Sequence, residues 1–153
     1  MLRFLAVSLI AFLPFWAVAS AQEPVSFKQS TLVLHTASGD HDLKIEVART
    51  AKQRERGLMY RDTLDADYGM LFVFGDTQLV SMWMANTRIP LDMLFIDKDG
   101  AVASIYAGAE PYSERIISSG GPVAYVLELP GGDAHAYGVA AGDTVSGPDI
   151  GGK

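Results

Sequence analysis

The chain has 153 residues, no cysteine and a formal net charge of −6 at pH 7. Without cysteine there is no disulfide, no thiol chemistry and no residue to carry a lipid, so packing alone holds the fold. An acidic chain with no basic run is a poor partner for nucleic acid or an anionic membrane surface, because neutralising phosphates with Lys and Arg supplies most non-specific affinity.

The N-terminus reads as a secretory leader. Met1-Leu2-Arg3 is a short positive start, Phe4 to Val18 is uncharged and apolar, and Ala19-Ser20-Ala21 fits the small-x-small cleavage rule. The apolar run falls short of the roughly 18 to 20 residues that span a bilayer, and Pro14 interrupts it. Residues 1–21 are therefore expected to be cleaved, leaving a periplasmic or secreted protein that begins at Gln22 and has no stable membrane insertion. Residues 22–146 suit a single β-rich domain, and residues 147–153 read as a flexible tail.

Gln22 to Ser30 has no clear period and is expected as an arm. Thr31–Thr36 and Asp42–Ala48 alternate apolar with polar residues around the turn material Ala37–Asp40, which predicts a hairpin with one solvated face. Thr50 and Gln53 have capping-box spacing and Gly57 is a natural stop, so Ala51–Arg56 is expected as a helix of under two turns. After a polar connection, Met70–Phe74 reads as a strand buried on both faces. Gly75-Asp76-Thr77 is expected as a turn into a second strand, Leu79–Met84. Leu91–Ile96 is a further strand, Asp97–Gly100 a turn and Ala101–Tyr106 the return strand. Ala107 to Pro122 is expected to be irregular and, at that length, functional or mobile. Val123–Leu129 is the last major strand, Asp133–Tyr137 a helical turn capped by Asp133, and Gly142–Ser146 a short terminal strand. About eight strands with one or two short helices predict a mainly β (β-rich α+β) sandwich or partly closed barrel.

Two carboxylates interrupt apolar strands. Asp92 lies on a strand face with Leu94 and Ile96, and Glu128 is flanked by Val126 and Ala124. Buried unpaired charge is costly, so both need donors or cations. Arg56, Arg61 and Arg88 are the candidate cations, and Asn86 and Thr87 can supply neutral donors. Trp83 could stack on a sugar ring or an organic ligand. As catalytic groups, Asp92 and Glu128 would act as an acid and base pair, as in glycosidases. Metal ligation is not expected: His35, His41 and His135 lack ligand spacing, although His35 and His41 could face each other across the first hairpin. Asp97-Lys98-Asp99-Gly100 places Val102 and Gly108 where a calcium loop needs Gly and Glu. Serines lack a convincing His partner, and no cofactor fingerprint is present.

Taken in order, Arg56-Gly57-Leu58-Met59 with Arg61, Gly69-Met70-Leu71-Phe72-Val73-Phe74, Trp83-Met84-Ala85-Asn86-Thr87, Ile89-Pro90-Leu91-Asp92 with Phe95-Ile96, Tyr125–Leu129 and Gly142-Asp143 resemble domain-of-unknown-function family 192. The likeness runs from about Leu43 to Val145. It implies a compact, mainly β domain of jelly-roll-like character, often exported in bacteria, and brings no established activity. The family motif falls on Arg56, Arg61, Trp83, Asn86, Thr87, Asp92 and Glu128, which form the expected ligand-binding set. Three functions fit. The first is binding of a small polar ligand, such as a saccharide or envelope fragment, at a charged aromatic site. The second is an acid/base hydrolase using Asp92 and Glu128. The third is an envelope interaction domain with a protein partner, in which the polar cluster is structural.

Overall fold

A computed structural model describes residues 24–151, so the expected leader lies outside the described residues. Among the described residues, seven strands form one curled sheet in the order β5-β4-β6-β3-β2-β1-β7. In chain order these are β1 (Lys28–Thr36), β2 (Gly39–Ala48), β3 (Tyr68–Met82), β4 (Leu91–Ile96), β5 (Val102–Ala109), β6 (Ile117–Pro130) and β7 (Thr144–Ser146). Two short helices, α1 (Ala51–Arg56) and α2 (Asp133–Ala136), lie between them. The protein is mainly β, as its alternating pattern predicts.

The first hairpin pairs β1 with β2 antiparallel, setting Leu32 opposite Leu43. β2 then pairs β3 in parallel. Parallel neighbours cannot be joined by a tight turn, so the chain crosses over through α1 and the connection that follows it. The capping box forms: the Thr50 hydroxyl accepts from the Gln53 N–H at 3.2 Å and the Gln53 side chain accepts from the Thr50 N–H at 3.0 Å. Gly57 ends the helix at φ 45°, its N–H bonded to the Gln53 carbonyl at 2.8 Å.

Both faces of the central strands are covered. One apolar cluster draws residues from all seven strands, among them Leu34, Ile45, Leu71, Leu94, Leu127, Val102 and Val145, and fills the hollow of the curl. The second lies on the opposite face of the central strands and includes Met70, Phe72, Met93, Phe95 and Val126, closed over by Leu58 and Met84. The two edges of the curl meet where Ala101 bridges Thr144 and the Val145 N–H donates to the Gly100 carbonyl at 2.7 Å. A Cβ at Gly100 would stand 2.5 Å from the Val145 carbonyl oxygen, and its φ of +90° suits glycine alone.

Five expectations change. The strand count is seven rather than about eight because Gly75-Asp76-Thr77 does not turn the chain. The segment is a bulge within β3, with Gly75 at φ 85° and a register shift against β6 between Val73 and Gln78. A bulge bends a strand without ending it, and local residue chemistry resembles that of a turn. The irregular segment 107–122 shrinks to 110–116, since β5 extends to Ala109 and β6 begins at Ile117. Gly132, not Asp133, is the N-cap of α2, with no side-chain cap bond. Gly147 to Ile150 is docked rather than frayed. Asp149 is buried and accepts from Lys28 at 3.0 Å, from Arg49 at 2.6 Å and from Ser30, while Ile150 packs on the inner cluster. Lys28 and Ser30, expected in an arm, are part of β1.

Candidate functional site

β4 and β6 pair so that Asp92 stands opposite Leu129 and Met93 opposite Glu128. Residues opposite each other share a face and successive residues alternate, so the two carboxylates project from opposite faces of the sheet. Asp92 points towards the inner cluster, where Leu129 and Leu94 lie. It is 1% exposed, and its oxygens accept three backbone N–H groups: Gly108 at 2.8 Å on one, Gly132 and Ala134 at 2.9 Å on the other. Those donors are the orphan amides at the start of α2 and one amide of β5, so Asp92 ties both to β4. Its lone pairs are occupied by the fold itself. Asp92 is a structural brace.

Glu128 shares its face with Met70 and Met93 in the second cluster and is 3% exposed. Burial pushes its carboxyl up to about 8, so it is largely protonated at neutral pH. Among the described residues no hydrogen bond or ion pair reaches this side chain. No wholly sealed side-chain oxygen or nitrogen there lacks a partner. The Glu128 carboxyl therefore opens to the space beside it, a cleft of about 240 Å³. The cleft is walled by α1 and its exit (Arg54 to Met59), by Phe72, Phe74, Ser81 and Met82 of β3, and by Trp83 and Thr87.

The arginines serve other partners. Arg61 pairs with Glu46 and Arg88 with Asp62 at 2.6 Å, while the Arg56 guanidinium lies 4.7 Å over the Tyr60 ring. Arg54 donates to the carbonyls of Arg49 and Val73 and sits 5.3 Å over Phe74. The expected ionic cluster joining Asp92 and Glu128 to Arg56, Arg61 and Arg88 does not form. Asp92 is satisfied by backbone, whereas Glu128 is held in its uncharged form by burial and has no partner among the described residues.

Three loops are stitched together beside the cleft by residues in the left-handed region: Tyr60 at φ 66°, Asn86 at φ 56° and Tyr112 at φ 60°. The Tyr60 N–H donates to the Asn86 carbonyl at 2.9 Å, and the Tyr112 N–H to the Thr87 carbonyl at 3.0 Å. Such conformations cost about 1–3 kcal/mol each outside glycine and persist only where surroundings enforce them. Asn86 and Thr87 thus act largely through their backbones. The rings of Tyr60, Tyr112 and Trp83 are left standing in solvent, 47%, 63% and 52% exposed. Of the expected site residues, the structure gathers Arg56, Trp83, Thr87 and Glu128 around one cleft. Asn86 supports its rim, Arg61 is displaced to Glu46, and Asp92 lies behind the sheet.

Leu58, Met59, Phe72 and Phe74 also line the cleft; they stand in the motifs shared with the family but read as ordinary core rather than as site residues. Tyr60 and Tyr112 carried no signal because left-handed backbone is invisible in a tyrosine codon. A serine does find a histidine partner. His35 bonds Asp40 through Nδ1 at 2.7 Å and Ser146 through Nε2 at 2.8 Å, since β7 pairs with β1. This order mimics a nucleophile triad, yet the His35 and Asp40 side chains are 38% and 70% exposed and Ser146 lies in a short edge strand, not at a strained turn. The register puts His35 opposite Asp40 and His41 opposite Leu34, so the two histidines point to opposite faces instead of meeting.

A family model for domain-of-unknown-function family 192, described as "Uncharacterized ACR", matches residues 33–147. The chain belongs to that family. Among solved structures similar to this family member, one is a Sinorhizobium meliloti 1021 protein named a "putative transcription regulator". It is 50% identical, with a TM-score of 0.81, over 84% of this chain and 100% of that one. Another is a protein of unknown function from Novosphingobium aromaticivorans DSM 12444, 38% identical with a TM-score of 0.77, over 85% of this chain and 94% of that one. A search of the curated proteins found no match.

Proposed function

We propose that the protein is an exported binding module that takes a small polar ligand, such as a saccharide or envelope fragment, in the cleft above Glu128. The observation that carries this reading is a buried carboxyl group that opens to a cleft and has no partner in the fold. Buried polar groups are ordinarily satisfied, and one held unsatisfied at a cleft floor has its capacity reserved for something that enters. Trp83 at the wall offers a stacking face, and Arg56 stands at the cleft's α1 side.

The register argues against a two-carboxylate hydrolase, since a pair acting across one bond must share a face. A purely structural reading fits Asp92 and fails for Glu128, whose ionisation the fold opposes. A nucleic-acid role has no support in a chain of net charge −6 without a basic run. The experiment is a nuclear magnetic resonance titration of the labelled protein with a panel of neutral and charged saccharides and cell-wall fragments. Shifts confined to Glu128, Thr87, Trp83 and the α1 exit, weakened in Trp83→Ala, are the expected result. A panel that leaves those resonances unmoved removes the proposal.

A further inference from the structure

The chemistry of the cleft narrows the ligand class, and the narrowing rests on the binding reading above. We propose that the ligand presents a protonated amine or guanidinium group, which enters the cleft and pairs with Glu128. Glu128 is 3% exposed, faces the cleft and has no internal partner among the described residues. The nearest candidates to neutralise it are turned elsewhere, Arg54 onto the Arg49 and Val73 carbonyls and Arg56 onto the Tyr60 ring. Burial is what pushes the Glu128 carboxyl up.

The walls suit a cation as well. Phe72, Phe74 and Trp83 supply aromatic side chains, of which Phe74 already carries Arg54 on its ring, and Met59 and Met82 supply polarisable thioethers. Organic cations are attracted to aromatic faces by the ring quadrupole, more strongly where water is excluded. A neutral polar ligand could exchange a hydrogen bond with the protonated acid, but it would leave the ionised form as costly as before. A cationic group lowers that cost directly, because an opposite charge within hydrogen-bond distance favours the carboxylate. Binding then draws the proton off Glu128 and releases it to solvent, with no covalent change. The other titratable groups lining the cleft are Arg54, Glu55 and Arg56, all on α1, and neither β3 nor the 83–87 segment contributes one.

The test uses matched pairs that differ in one group: glucosamine against glucose, and phenethylamine against 2-phenylethanol, each titrated into labelled protein and into Glu128→Gln. The expected result is that each amine binds at the cleft at least tenfold more tightly than its neutral counterpart. The affinity of phenethylamine, which stays protonated throughout, should rise up to about tenfold per pH unit from pH 6 to 7 and less steeply towards 8, because the carboxyl must ionise to bind, while glucosamine, whose weaker amine starts to lose its own proton in this range, should level off sooner. In Glu128→Gln, which keeps the shape and should fold at least as well, the preference and the pH slope should both disappear. Equal or tighter binding of the neutral members at the cleft overturns the cationic class while leaving a ligand cleft in place. Amine preference that survives in Glu128→Gln also overturns it, since another group is then responsible. If neither member of either pair moves the cleft resonances, the cationic class is overturned, and a blank saccharide panel would remove the binding reading separately.

Discussion

Asp92 and Glu128 are both almost wholly buried acids in adjacent strands, and their environments give them opposite fates. Asp92 accepts three amide donors, so its truncation leaves three N–H groups without their acceptor, that of Ala134 buried. Asp92→Ala is expected to cost about 2–5 kcal/mol in urea unfolding, with loss of amide protection at Gly132 and Ala134. Glu128 receives nothing, and its effect on stability has the reverse sign from a salt-bridged acid. In the unfolded chain it ionises near its ordinary value of 4.5, in the folded protein only near 8. Between those values the unfolded state holds fewer protons, so stability falls as pH rises through the window and levels off above it. Glu128→Gln removes this penalty. Its melting temperature should exceed that of the parent by several degrees at pH 8 to 9 and match it near pH 4, by calorimetry. A parental pH slope in the variant would assign the titration to another group.

At the scale of elements, α1 and its exit form one wall of the cleft, and their local chemistry was legible. Thr50, Gln53 and Gly57 carry start and stop signals that operate within a few residues, so they survive any tertiary context. Thr50→Ala is expected to cost about 1 kcal/mol and to loosen hydrogen exchange in α1 before the sheet. Gly57→Ala should cost more. Its φ of +45° disfavours any side chain, and an added Cβ would meet the Phe72 ring at 3.1 Å, pressing on the cleft wall. Ligand binding should therefore weaken in Gly57→Ala beyond its effect on stability. The bulge in β3 was not legible, because Gly75-Asp76-Thr77 supports a turn as readily as a bulge and only pairing with β6 distinguishes them.

At the scale of the whole molecule, closure of the curl and docking of the C-terminal segment hold the edges. Burial alone would raise the Asp149 carboxyl, but Ser30, Arg49 and Lys28 outweigh it and hold it down to about 2. A depressed carboxyl contributes stability above its unfolded value, and that contribution is lost as pH falls from about 4 towards 2. Lys28 and Arg49 are half exposed or more, which limits the effect to about 1–2 kcal/mol. Asp149→Asn should flatten the acid limb of the stability curve over that window, and an unchanged limb would show that the clamp contributes nothing. Gly100→Ala should open the seam between β5 and β7, measurable as faster amide exchange at Val145.

Local pattern by itself determined the mainly β character, the first hairpin, the capped helix and the identity of the two acids that needed explaining. Each of those depends on neighbours within a few positions, where periodicity and capping chemistry act. Only the tertiary structure decided what the acids do. Their roles turn on the register between β4 and β6, strands separated by a long stretch of chain, and a slip of one residue would exchange one sheet face for the other. The observed register turns Asp92 inward to the amides of α2 and β5. It turns Glu128 outward to an apolar cleft that offers it no partner.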